Sequence, residues 1–123
     1  MKLILQPEGS TVCGQCCVAM IVGVPLKSCL NTFCHDWATN PKNVRWALKY
    51  YHYKPNKRLL KFKKQEQLPN LCLLKLTYPF QKMGHWVVYD TGDIYCPVLG
   101  IVNYDDYEEL SGGTLTHYLG FTK

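Results

Sequence analysis

QPEGSTVCGQCCVAM, residues 6–20, is the stretch on which the reading of this 123-residue chain turns. Pro7, Gly9, Ser10 and Thr11 are turn and N-cap residues, and Cys16 to Val24 is an apolar run broken only by Gly23. Together they predict a buried helix that starts near Thr11 to Cys13 and runs to about Val22, where Gly23-Val24-Pro25 stops it. Cys13 then falls in the first turn. Free N–H groups and the positive end of the helix dipole favour thiolate over thiol at that position. Gln6 stands one short turn upstream, so its amide can point at an oxygen beside the sulfur. A thiolate with a fixed amide donor is half of an acyl-transfer site.

Working outward, Leu3 to Leu5 reads as a short strand or an extended lead-in. Leu26 to Asp36 carries Leu26, Cys29, Leu30 and Phe33 at helical spacing. Thr39 or Asn40 caps a third helix with Pro41 in its first turn; Val44, Leu48 and Tyr51 form its apolar face, flanked by Trp46 and Ala47. Past residue 64 the pattern changes to strands: Leu71 to Leu76, His85 to Tyr89, Ile94 to Val98 after the turn Asp90-Thr91-Gly92-Asp93, and His117 to Phe121 closing the sheet. Helices followed by antiparallel strands predict an α+β fold, with N-terminal helices packed on a C-terminal antiparallel sheet in one domain spanning 1–123.

The net charge of +5 is modest, and much of it sits in Lys54, Lys57, Arg58, Lys61, Lys63 and Lys64. That segment is read as solvated surface rather than a nucleic-acid site. No stretch has the length and apolarity of a membrane span, and MKLIL is too short for a signal peptide, so a cytoplasmic chain with no membrane partner is expected. Seven cysteines in a reducing compartment are read as free thiols, not disulfides. The oligomeric state is left open.

The second half of the site should come from the sheet. His35 and His52 lie beside charged and aromatic residues in helical or helix-end segments and His117 lies near the C-terminus, so all three read as surface or packing side chains. His85 opens the apolar strand GHWVVYD, where a titratable ring has little reason to pack; it is the expected general base to Cys13. With Thr91-Gly92 as a two-residue turn, Asp90 pairs with Asp93, Tyr89 with Ile94, Val88 with Tyr95 and Val87 with Cys96. Asp90 then lies on the other face and about 16 Å along the strand from His85, too far to orient it. Cys96, diagonal to His85, stands in the orienting place.

Gln6, Cys13-Gly14 opening a helix that ends Ala19-Met20, Gly84-His85-Trp86-Val87-Val88 and Ile94-Tyr95-Cys96-Pro97 together resemble the papain-like cysteine peptidases, in particular the compact C39-like group of bacteria and phages. The resemblance covers Gln6 to Gly100 and implies a papain-like fold and a protein or peptide substrate. It also implies Cys13 as nucleophile, His85 as base and Gln6 as oxyanion donor, with no metal or cofactor. The family carries an Asp before the Pro where this chain has Cys96, a poor hydrogen-bond acceptor as a thiol. A Cys13–His85 dyad, or an Asp such as Asp105 or Asp106 arriving from the next loop, would complete the site.

Three other readings use the same residues. Cys13 and Cys16 form CxxC ahead of Cys29, Cys34 and His35, a conceivable zinc set, although Cys16 and Cys17 belong to the apolar helix. CGQC at a helix start suits a redox pair but lacks the preceding strand of a βαβ unit. The third is a papain-like binding module in which Cys96 marks a relaxed site.

Overall fold

The computed structural model describes residues 1–35 and 37–123. Helices come first: α1 (Cys13–Val22), α2 (Leu26–Phe33) and α3 (Pro41–Tyr50). Strands follow as β1 (Lys54–Pro55), β2 (Leu60–Lys61), β3 (Leu71–Tyr78), β4 (Gln81–Asp90), β5 (Asp93–Cys96) and β6 (Gly100–Asn103). A fourth helix, α4 (Tyr104–Ser111), precedes β7 (Thr114–Leu119) and β8 (Phe121–Thr122). The fold is α+β, with an antiparallel sheet of six strands in the order β2-β7-β3-β4-β5-β6 and a small separate β1–β8 pair.

Each helix end has a local cause. Val12 stands at the N-cap of α1 without a side-chain cap, and Gly23 closes it in the left-handed region at φ 81°. Cys34 takes the left-handed conformation after α2, ending it at Phe33; the expected end at Asp36 lies outside the described residues. Of the two expected caps of α3, Asn40 is the one used: its side chain accepts from the Asn43 N–H, and Asn43 returns the bond to the Asn40 N–H. Val44, Ala47 and Leu48 of α3 are buried.

In the β4–β5 hairpin, Thr91 and Gly92 both have positive φ, as a two-residue primed turn requires. Its register is Val88 with Tyr95, Tyr89 with Ile94 and Asp90 with Asp93, as the sequence predicts for these three pairs, but the ladder stops there and the expected pair of Val87 with Cys96 is not formed. The sheet is covered on both sides. Cys17, Val18 and Ala19 of α1 and Val44 and Leu48 of α3 pack on Leu73, Trp86, Val88 and Leu119. Tyr107 of α4 packs with Leu74, Leu76, Val87, Ile94 and Cys96 on the opposite face.

Of the two forms expected for residues 3–5 the extended lead-in is the one taken: they enter no ladder, with Leu3 and Ile4 packed on the helical core and the Gln6 N–H bonded to the Pro97 carbonyl at 2.9 Å. Two expectations are corrected. The strand at 117–121 does not close the sheet, because α4 carries the chain back from β6 and inserts β7 between β2 and β3. The helices are not confined to the N-terminal half, since α4 covers the second face.

Candidate active site

Strand β5 is short and pairs with β4 only from Val88 to Asp90, so this edge of β4 is open towards Gly84 and His85. The N-terminus of α1 fills that gap. The Trp86 N–H donates to Cys13 Sγ at 3.4 Å, fixing the sulfur against the strand. Gly14 is required by the approach: a Cβ there would collide with Thr39 Oγ1 and come within 3.3 Å of the Trp86 ring. Gly84 is required as well, since a Cβ would lie 2.7 Å from the Leu76 carbonyl oxygen. The two glycines that precede or follow the site residues are therefore packing constraints that bring helix and strand together.

Cys13, His85 and Gln6 line one cavity of about 450 Å³, with Thr11, Tyr78 and Gln81 on its walls. His85 belongs to the face of Val87 and Tyr89, away from α1, yet its ring reaches this cavity at the open strand edge. Its Nε2 lies 3.4 Å from Cys96 Sγ. Nδ1 has no hydrogen-bond partner among the described residues, which leaves it as the nitrogen for thiol or substrate. The structure thus places Cys13, His85 and Gln6 on one cavity and sets Cys96 against His85 Nε2.

Cys96 is nearly sealed from solvent at 1% exposure. Besides His85, its sulfur accepts from the Leu99 N–H at 3.4 Å and from the Tyr107 hydroxyl at 3.3 Å. Asp105 and Asp106 do not reach in: they lie exposed in the first turn of α4, below its Asn103 cap. The residue of α4 that arrives is Tyr107, which sequence reasoning missed. Gln15 was also missed. Fully buried, it donates through Nε2 to the Trp37 carbonyl at 2.8 Å and so ties α1 to the segment whose Ala38 walls the cavity.

Burial dominates the electrostatics. It pushes the Cys13 thiol above its ordinary value, against the lowering effect of the Trp86 and Gly14 N–H groups, so the thiol and not the expected thiolate is the resting form. Burial also depresses His85 to about 4, which leaves a neutral imidazole. Gln6 holds its amide in place by donating through Nε2 to the Ser10 carbonyl at 2.6 Å, while Oε1 is buried without a partner. One amide hydrogen remains free for an oxyanion.

The metal and redox readings find no support in this arrangement. Among the described residues no three His, Cys, Asp or Glu side chains form a set able to hold a metal ion; Cys16 and Cys29 are buried and Cys34 is exposed beyond α2. Cys16 is raised by burial to about 12, unsuited to thiol exchange with Cys13. All seven cysteines are free. No single helix among the described residues is long and apolar enough to cross a membrane. Neither protein-family models nor curated protein sequences gave any match to this chain.

Proposed function

We propose that this chain is a papain-like cysteine hydrolase of the C39-like kind that cleaves a peptide, isopeptide or side-chain amide. What supports it is the shared cavity: a helix-terminal sulfur and a strand-borne imidazole open onto it, with the imidazole's far nitrogen held by Cys96. His85 Nδ1 takes the Cys13 proton as the sulfur attacks the carbonyl carbon, forming the C–S bond and an oxyanion that accepts from the Cys13 N–H and Gln6. The imidazolium returns that proton to the leaving nitrogen as the C–N bond breaks. Water, deprotonated by His85, then opens the thioester and restores the thiol. Seven free thiols suit work in the cytoplasm.

Because the resting pair is neutral, alkylation of Cys13 by iodoacetamide should be slow at pH 6 and climb through pH 9, and His85→Ala should slow it further at pH 7. Mass spectrometry assigns the labelled residue. A rate already at its plateau at pH 6 would indicate a resting ion pair instead. A rate indifferent to His85→Ala would favour the second reading, a papain-like binding module, which the burial of Cys13 and the missing acid at position 96 also suit.

A further inference from the structure

Cys13 also borders a second cavity of about 180 Å³, on the other side of Gly84, whose walls include Thr39, Lys75 and Trp86. Lys75 stands on the central strand β3, half-buried, and its stem lies across Gly84: Cε and Cγ sit 3.0 and 3.5 Å from where a Cβ on that glycine would be. Its cross-strand neighbours are Trp86 on β4 and His117 on β7, and His117 in turn pairs with Lys61 on β2. Cross-strand partners share a face, so Lys61, His117 and Lys75 form a row that runs to the cavity without a carboxylate in it. The charged groups acting on His117 are the two ammonium groups, which add to burial in holding its imidazole neutral. Two ammonium groups thus flank a neutral imidazole, a positive local field that an anionic ligand would answer. Thr39, whose Oγ1 is buried without a hydrogen-bond partner, is among the residues that border the same cavity.

We infer that the cavity between Cys13 and Lys75 is a specificity subsite for a carboxylate next to the reacting carbonyl, so that the substrate is an acidic peptide and Lys75 selects it. The inference rests on the hydrolase proposal and deepens it. The carboxylate comes from an Asp or Glu side chain or from a chain terminus, and Lys75 meets either with the same chemistry.

Peptidyl chloromethyl ketones with Glu, Gln or Lys beside the reactive group, and chloroacetyl-glycine against chloroacetyl-glycinamide, test it on the full chain by the rate of Cys13 alkylation. The Glu probe should react about tenfold faster than the Gln probe, with the Lys probe slowest. Lys75→Gln should bring the Glu/Gln ratio near one, Lys75→Glu should invert the order, and Lys75→Arg should keep it. An advantage of the Glu ketone assigns the subsite to a side-chain carboxylate; an advantage confined to chloroacetyl-glycine over its amide assigns it to a terminal carboxylate. Equal rates within both probe sets at a reactive Cys13 would overturn the subsite and leave the hydrolase standing. Failure of every probe to label Cys13 would overturn both.

Discussion

Replacing Cys96 by Asp puts an anion where a Leu99 N–H, the Tyr107 hydroxyl and His85 Nε2 already converge. The carboxylate should stabilise the imidazolium, raise His85 from about 4 as followed by NMR titration, and increase turnover. An unchanged or slower rate would remove position 96 as the orienter. His85 itself couples folding to pH. Its folded value lies below the unfolded 6.5, so the unfolded chain binds the proton first and stability falls as pH drops from 6.5 towards 4. The depression corresponds to about 3 kcal/mol, and denaturant melts should show His85→Gln losing that much less than the parent across this window. Cys13 was legible from its place in the first turn of a helix, and His85 because a titratable ring has little reason to pack at the head of an apolar strand. Tyr107 was not, since nothing in the spacing of a tyrosine and a cysteine 11 residues apart says that α4 will fold one over the other.

Helix α1 reaches β4 only because Gly14 leaves room for Thr39. Gly14→Ala should therefore destabilise the fold by about 1–3 kcal/mol and slow Cys13 chemistry, and Thr39→Ala in the same chain should recover part of both by removing the hydroxyl that blocks the new methyl. Thermal melts and alkylation rates read the two effects. At this scale the β4–β5 register followed from a two-residue turn, because a period-two ladder has no freedom once its turn is set. Helix α4 escaped notice although Asn103, Asp105 and Gly112 mark its ends. It is eight residues long and buries only Tyr107, so it has no apolar stripe to recognise. The four-residue strand β6 likewise alternates between half-buried and exposed positions, without a continuous apolar face.

For the molecule as a whole, helical and sheet halves meet at a contact between Cys13 and Trp86, 73 residues apart in the chain. The site exists only when both halves are docked. Six of the seven sulfurs are buried, four of them in α1 and α2 and the others in β3 and β5, while Cys34 alone is exposed. The molecule thus carries its own chemical clock for opening. Under a maleimide pulse Cys34 should label at once and Cys13 next, as the cleft breathes. Cys16, Cys72 and Cys96 should follow together at the pace of global unfolding, resolved by peptide mass spectrometry. Earlier labelling of Cys72 than of Cys16 would show the β-layer coming apart while the helices stay closed.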